Sequence, residues 1–460
     1  MSLKQFTIDF RELTNYKFIR NDVRFFIGQK ERHLNQGIRL GKIFETGRGR
    51  VINQEYVQEN QGEYPLYSSQ TYSNGIFGYI DTYDFEGEYL TWTTDGINAG
   101  RVFYRNGKFN CTNVCGTAKI KQGNQFEINL KFLPYFLNTI TKYYVSVASG
   151  NPKLMNNVFE EVKIPLVSKF TQDKIVVQIE PIERKIKELT NQIIPAQEII
   201  NKVFAREFDF DENLYNEFGK GMTAGTQIAE DRKLKIFETE FKDFLRSNIL
   251  RFSTRFHNLP TKKLMDFLDG IETIKVNDII KSYEKGIQPK YNPDGVIPVV
   301  KITNLKNSYI DFSETEKITK VDFDKLDNKK KLKENDIILC ATGKISLGKI
   351  DLFDSETEAI ASVDNYILRL KENYNPLFFT YFFRSILGYF QIERDYTGAT
   401  NQIHLYWEQI SNFETPNISL LKQQKIVDEI KTELDKQEKI RQKIKTERNK
   451  IDEIIEKAIS

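Results

Sequence analysis

Thr342-Gly343-Lys344 is where a phosphate-gripping loop would be sought in this 460-residue chain. A nucleotide cradle needs Gly-x-x-x-x-Gly-Lys-Ser/Thr, so that backbone N–H groups and a lysine surround one phosphate. The segment is too short to do that alone, and the glycine-rich dinucleotide or methyl-donor fingerprint is missing as well. Asn151-Pro152 and Asn375-Pro376 begin like the Asn-Pro-Pro-aromatic or Asp-Pro-Pro-aromatic segment of base-methylating sites, but lack the second proline and the aromatic. Cys111 and Cys115 have no Cys or His pair at zinc-site spacing, and His33, His257 and His404 stand singly, as structural or surface residues do. Asp and Glu gather mainly in helical tails, where charge runs form a solvated face. The case for intrinsic catalysis is weak.

What the chain does have is the same text twice. Gly100 and Gly150 recur as Gly348 and Gly398, both 248 residues on. Thr94-Asp95-Gly96-Ile97-Asn98-Ala99-Gly100-Arg101-Val102 is echoed by Thr342-Gly343-Lys344-Ile345-Ser346-Leu347-Gly348-Lys349-Ile350. Gly150-Asn151-Pro152-Lys153-Leu154 is echoed by Gly398-Ala399-Thr400-Asn401-Gln402-Ile403. Entry segments at 6–13 with 23–26 and at 237–244 with 250–253 repeat too, and 205–232, with Gly219, Gly221 and Gly225, reads as the connection between halves. A duplicated globular unit with a duplicated helix suggests two similar contacts at a fixed separation.

Composition bounds the rest. Hydrophobic content of 40% and charged content of 28% are ordinary for a well-cored soluble protein. The N-terminus carries no apolar signal-peptide core, no window approaches ~18 consecutive apolar residues, and three cysteines, Cys111, Cys115 and Cys340, are too few for a disulfide framework. A cytoplasmic protein with reduced thiols is expected. Net charge is +3 from 67 basic and 64 acidic residues, which excludes a sequence-blind phosphate binder but leaves room for local basic faces.

The elements that would position the loops follow from periodicity. Runs at 63–70, 75–80 and 88–94, matched by 296–302, 336–341 and 362–368, are short, aromatic or β-branched, and punctuated by turns, so strands are expected. Short helices fit near 130–145 and 376–391. In the tails, Ile175, Ile179, Ile182, Ile186, Leu189, Ile193, Ala196, Ile200 and Val203 alternate spacings of four and three, a heptad seam of 29 residues or about 43 Å. Val427, Ile430, Leu434, Ile440, Ile444, Ile451, Ile454 and Ala458 form a weaker second seam, with Gln437 and Glu447 at seam positions and a phase slip near 440. Pro181 and Pro195 interrupt the first seam, so local kinks are expected. An antiparallel pair of such helices would hold two units about one to one and a half duplex turns apart.

The doubled unit, the Thr-x-Gly-x-x-x-Gly stretches and the following helices resemble the specificity subunit of type I restriction–modification systems. The resemblance covers nearly the whole chain. It includes Val162-Lys163-Ile164-Pro165-Leu166 with Gln172-Asp173-Lys174-Ile175-Val176, and Ile410 to Pro416 with Gln423-Gln424-Lys425-Ile426-Val427. It implies two tandem α/β (α+β) target recognition domains, each followed by a long helix, the helices pairing as an antiparallel coiled coil through Ile175, Ile179, Ile182, Ile186, Leu189, Ile193, Ile200, Val427, Ile430, Leu434, Ile444 and Ile451. The implied division is 1–155 and 233–407 for the recognition domains, 156–207 and 408–460 for the spacer helices with their lead-ins, and 208–232 for the linker. Such a chain is non-catalytic and reads the two halves of a split double-stranded DNA site through the major groove. Two modification subunits would bring S-adenosylmethionine to an adenine-specific DNA methyltransferase. Restriction subunits would add ATP- and Mg-dependent translocation and cleavage.

Base readout needs polar side chains on loops that reach a groove, backed by cations that hold phosphates. Candidates in the first unit are Arg48, Arg50, Ser69, Gln70, Asn74, Thr94, Asp95, Asn98, Arg101 and Lys153. In the second they are Lys301, Asn304, Lys306, Thr342, Lys344, Ser346, Lys349, Asn401 and Gln402. Asp95 and Asn98 are equally suited to stabilising a turn, and the glycines to meeting backbone demands. Lys329-Lys330-Lys331-Leu332-Lys333 fits a solvated loop as well as a phosphate track, and Tyr64, Tyr67, Tyr72 and Tyr79 favour packing. The rival reading is a protein–protein scaffold of two β-rich modules on a coiled-coil stalk; a stand-alone methyltransferase or nuclease has no residue to recommend it.

Overall fold

Aromatic and β-branched side chains pack well on a pleated surface, and the runs that carry them become strands here. The computed structural model describes residues 37–147, 150–165, 167–211, 240–244, 254–257, 259–313, 315–399 and 402–459. The entry segments at 6–13, 23–26 and 250–253, the glycine stretch 219–225, His33 and Asn401 lie outside the described residues. Two compact units divide the chain, residues 1–192 with 441–460, and residues 193–440. Each takes one globular half and a part of both helical tails.

In the first unit Phe44–Arg48, Tyr89–Thr93, Val102–Arg105 and Cys115–Ile120 form an antiparallel sheet in the spatial order first, fourth, second, third. The second unit builds the same sheet in the same order from Ile280–Lys285, Asp336–Cys340, Ile350–Phe353 and Asn365–Leu370. A smaller sheet in each contains one parallel pairing, with Leu66 opposite Asn110 in the first and Val299 opposite Ile360 in the second. Each globular half closes by pairing its leading strand with the strand before the long helix, Ile38–Arg39 with Lys163–Ile164 and Thr273–Lys275 with Glu414–Pro416. The two units are therefore copies of one mixed α/β fold.

A helix covers the main sheet of each unit. Phe132–Ile140 buries Phe132, Leu133, Phe136 and Leu137, and joins a core where fully buried Trp92 stacks on Phe159 at 3.9 Å. Its counterpart Pro376–Arg384 is apolar on nearly all faces and buries Phe378, Phe379, Phe382 and Phe383. Pro376 suits the first turn because it has no N–H to leave unpaired, and Asn375 caps it by accepting from Leu377 N and Phe378 N at 2.9 and 3.1 Å.

The same helices tie down the strand that leaves each glycine loop, with different chemistry. The Asn138 amide accepts from Val102 N at 2.8 Å and donates to Val102 O at 2.9 Å. At Ile350, 248 residues on, Arg384 Nε and Nη2 donate to the carbonyl at 2.9 and 2.8 Å, and Asn307 Oδ1 accepts from the N–H at 3.2 Å. Arg384 also pairs with Asp351, both deeply buried, and burial pushes that carboxyl up to about 6 against the pull of the guanidinium.

Each long helix is anchored by a buried glutamine in its first turn. Gln172, on helix Lys169–Asn191, donates to Val167 O at 2.8 Å and accepts from Asn129 N at 2.8 Å. Gln423, on helix Leu420–Ile459, donates to Ile418 O at 2.9 Å and accepts from Asn375 N at 2.7 Å. Both clamp the helix to the loop that opens the sheet-covering helix of the same half.

The first seam departs from expectation. It is two helices, ending at Asn191 and restarting with Ala196. Pro195 has no N–H and disfavours helical geometry at Ile194, so the break falls there, whereas the helix runs through Pro181. Ile175 and Ile179 are buried in the first unit's core with Ile455, while Ile182, Ile186 and Leu189 are half-buried. In the same unit Lys185 pairs with Glu447 at 2.6 Å; Lys185 and Lys450 hold that carboxyl below the usual range. In the second unit Ile193 is half-buried, and Ile200 and Val203 join a core with Val427 and Ile430, against which Leu434 packs. There Gln437 Oε1 accepts from Ile194 N at 2.9 Å, and Arg206 pairs with Glu429. Along each stretch the partner number falls as the first rises, the order of antiparallel packing. Ile444 is buried and Ile451 packs on the first unit's core. The polar seam residues thus have partners: Gln437 satisfies a backbone N–H exposed by the helix break, and Glu447 a lysine across the seam.

Two substitutions test these ties. Gln423→Leu removes the partner of a half-buried N–H and a half-buried carbonyl and is expected to lower stability by about 1–3 kcal/mol in urea unfolding. Arg384→Met strands the Asp351 carboxylate and is expected to cost about 3–5 kcal/mol, most of it recovered in the Arg384→Met/Asp351→Leu double variant. Equal losses in the single and double variants would contradict that assignment.

Candidate nucleic-acid interface

The first glycine loop leaves the strand Tyr89–Thr93 and turns back into Val102–Arg105. Gly96 and Gly100 take φ of +89° and +87°, and in the second unit Gly343 and Gly348 take +86° and +79°. These left-handed angles favour glycine, and space forbids more: a Cβ on Gly100 would lie 3.1 Å from Val145, and one on Gly348 3.0 Å from Tyr389. The turn closes through Gly100 N to Thr93 O at 2.8 Å and Gly348 N to Cys340 O at 3.0 Å.

The second glycine of each copy, Gly150 at φ +75° and Gly398 at +101°, belongs to a segment that fastens onto the first loop. Gly96 N donates to Pro152 O at 3.0 Å and Leu154 N to Thr94 O at 2.9 Å. The second unit repeats this with Gly343 N to Ile403 O at 3.1 Å and Leu405 N to Ala341 O at 2.9 Å. Two stretches about sixty residues apart in sequence are thus joined into one two-loop platform, built twice.

The platform gathers Thr94, Asp95, Asn98, Arg101 and Lys153 in the first unit, and Thr342, Lys344, Ser346, Lys349 and Gln402 in the second. Asn98 and Arg101 are exposed on the first. Thr94 is fully buried, with its hydroxyl on Asp95 at 2.6 Å, and Asp95 in turn pairs with Lys153 at 3.4 Å. Thr342 donates to Asp364 at 2.9 Å. Among the described residues no salt bridge involves Arg101, Lys344 or Lys349, although Asp452 and Glu183 act on Arg101 through space and Asp351 on Lys349. An open cleft of about 980 Å³ runs beside the first platform, lined by Asn98, Arg101, Lys142, Lys187 and Arg448 together with Glu183, Asp452 and Glu456.

The remaining candidates sit elsewhere in their units. Arg48 reaches Asn156 at 3.1 Å and the Met155 sulfur, just beyond the Lys153 segment. Arg50 is held by Asp84 at 2.8 Å and Thr82 at 3.2 Å. Ser69, Gln70 and Asn74 share the loop before strand Ile76–Ile80, where Gln70 donates to Ile76 O and Asn74 takes a φ of +55°. Lys301 pairs with Glu316 and Lys306 with Asp311 at 3.7 Å, while buried Asn304 closes a turn between Lys301 N and Asp311 O. In the lysine run, Lys330 pairs with Glu284 at 2.8 Å. Tyr67 lies under the Arg105 guanidinium at 3.6 Å. Sequence reading passed over Ile97 and Ile345, exposed at the platform tips, and the glutamine clamps; each recurs at matching places in the two copies, which is the signal that would have found them.

This arrangement can hydrogen-bond and hold anions, and offers no activated nucleophile. Burial pushes the Cys340 thiol up to about 12 and Cys111 well above its ordinary value, so neither is a thiolate at neutral pH. No group of three or more metal-ligating side chains gathers among the described residues, and no described helix is long and apolar enough to cross a membrane.

Comparison with known proteins gives the family. A proposed type I specificity subunit of Mycoplasma pneumoniae, represented by its N-terminal part, is 47% identical over 137 residues, which is 30% of this chain and 72% of that protein. A second from the same organism is 41% identical over 175 residues, covering 38% of this chain; the match spans 55% of that relative's length. A crystal structure of a type I restriction-modification system S subunit from M. genitalium aligns over 91% of this chain and 94% of its own, at 15% identity and a TM-score of 0.42. The family of type I restriction modification DNA specificity domains matches residues 35–197 and 269–448, one match in each half and together well over half of the sequence. The chain belongs to that family.

Proposed function

We propose that this chain is the non-catalytic, DNA-reading subunit of a type I restriction–modification complex, each platform reading one half of a bipartite target. One observation carries the reading: a two-loop platform pinned by matching backbone bonds, bearing Arg101 in one unit and Lys344 with Lys349 in the other, is built once in each unit. Polar tips such as Asn98 and Ser346 suit base edges, and Arg101, Lys344 and Lys349 suit phosphates or guanine. The helices pair as a coiled coil, set the gap between half-sites and dock two modification subunits, with restriction subunits joining them. Those partners supply S-adenosylmethionine, ATP and Mg, and the assembled complex methylates adenine and cleaves DNA. The complex works in the cytoplasm.

Selection from a randomised duplex library by the full chain with its modification subunit is expected to return two short fixed sequences separated by a constant gap. Lys344→Ala should weaken binding to all sequences alike and flatten the log affinity against log salt slope by about one. Asn98→Ala should relax preference at positions of one half-site only. Binding that ignores sequence across the library, or that lacks salt dependence, would favour the protein–protein scaffold instead.

A further inference from the structure

Both platforms carry an isoleucine at the tip. Ile97 is 94% exposed and Ile345 66%, and they stand the same 248 residues apart as the paired glycines. Their neighbours change between copies, Asn98 for Ser346 and Arg101 for Lys349, while the isoleucine stays. Neither belongs to a hydrophobic cluster of its unit, so folding gives no account of either. The backbone around each is fixed: Ala99 N donates to Gly96 O at 2.9 Å and Arg101 N to Asn98 O at 3.1 Å, matched by Leu347 N to Gly343 O at 2.9 Å and Lys349 N to Ser346 O at 3.0 Å. A β-branched side chain has few rotamers to lose on contact, so each tip presents a stiff apolar knob.

The ring around the knob says what covers it. A protein partner that buried an isoleucine would meet further apolar surface beside it, as interface cores do. Here the polar residues next to it along the loop are Asn98 and Arg101 in one copy and Lys344, Ser346 and Lys349 in the other, carrying amide, guanidinium, ammonium and hydroxyl groups. That ring matches a polyanion carrying small isolated apolar spots. In the major groove of DNA the apolar spot on a base edge is the thymine 5-methyl group.

We infer that Ile97 and Ile345 each contact a thymine methyl in the half-site read by their own unit. The inference rests on the DNA-reading function proposed above and adds a specificity determinant common to both halves. The side chain packs against the methyl, while the differing neighbours read the differing bases around it.

Deoxyuridine supplies the test, because it pairs as thymidine does and lacks only the methyl. The full chain with its modification subunit is first used to select a target from a randomised thymidine-containing duplex library. Each thymidine of that target is then replaced singly by deoxyuridine and the affinity measured for the parent, Ile97→Ala and Ile345→Ala. In the parent, one replacement in each half-site should weaken binding about fourfold, the worth of one buried methyl-sized group. Ile97→Ala should abolish the loss in one half-site only, and Ile345→Ala in the other only. A half-site without thymine, a replacement without effect, or an alanine variant that keeps the loss overturns the inference while leaving sequence-specific binding intact. If no sequence is selected at all, the proposed function falls and the inference with it.

Discussion

If the globular halves read DNA at a set separation, as proposed, they cannot swivel on their helices, so the joint between globular half and long helix constrains everything else. That joint is a buried glutamine, Gln172 in one copy and Gln423 in the other. Each sits in the first helical turn and uses both ends of its amide, donating to the carbonyl two residues before the helix and accepting from the loop that opens the sheet-covering helix. Burying an amide is costly unless all its hydrogen bonds are made, and here that cost enforces one orientation. An apolar residue would pack there without specifying an angle.

From that joint the order of construction runs outward. The anchored loop opens the helix Phe132–Ile140 or Pro376–Arg384, which in turn holds the strand leaving the glycine loop, through Asn138 in one copy and Arg384 in the other. The strand fixes the first glycine loop, and that loop holds the second through matching backbone bonds in both copies, joined in the first by the Trp92 indole N–H on Leu154 O at 3.0 Å and by the Asp95–Lys153 pair. Side chains at the tips are therefore free to vary without loss of geometry. Under the proposed function, the backbone would serve mainly for position and the tip side chains for recognition.

The duplication made most of this fold legible. All four glycines spaced by 248 residues take left-handed angles, and the strand and helix runs fall where alternation and aromatic content put them. Two things were hidden. Composition cannot show which cations meet a carboxylate, so Arg50, Lys301 and Lys306 looked like Arg101, Lys344 and Lys349 until Asp84, Glu316 and Asp311 were seen beside them. Nor does a heptad count tell one proline from another: kinks are expected from the sequence at both Pro181 and Pro195, but the helix runs through the first and breaks before the second. Gln437 and Glu447 looked like defects for a related reason, since the value of a polar seam residue lies in its partner, Ile194 N in one case and Lys185 in the other.

If, as proposed, the helices act as a ruler between two reading heads, a change of ruler length tests it most directly. Seven residues of seam pattern would be added to each helix at facing positions, one insertion within 182–189 and one within 444–451. Seven residues of helix add about 10 Å, or about three base pairs of duplex. Library selection with this variant should return the two original half-sequences with the gap longer by about three base pairs. An unchanged gap, or half-sequences altered by an insertion that touches neither platform, would contradict the account.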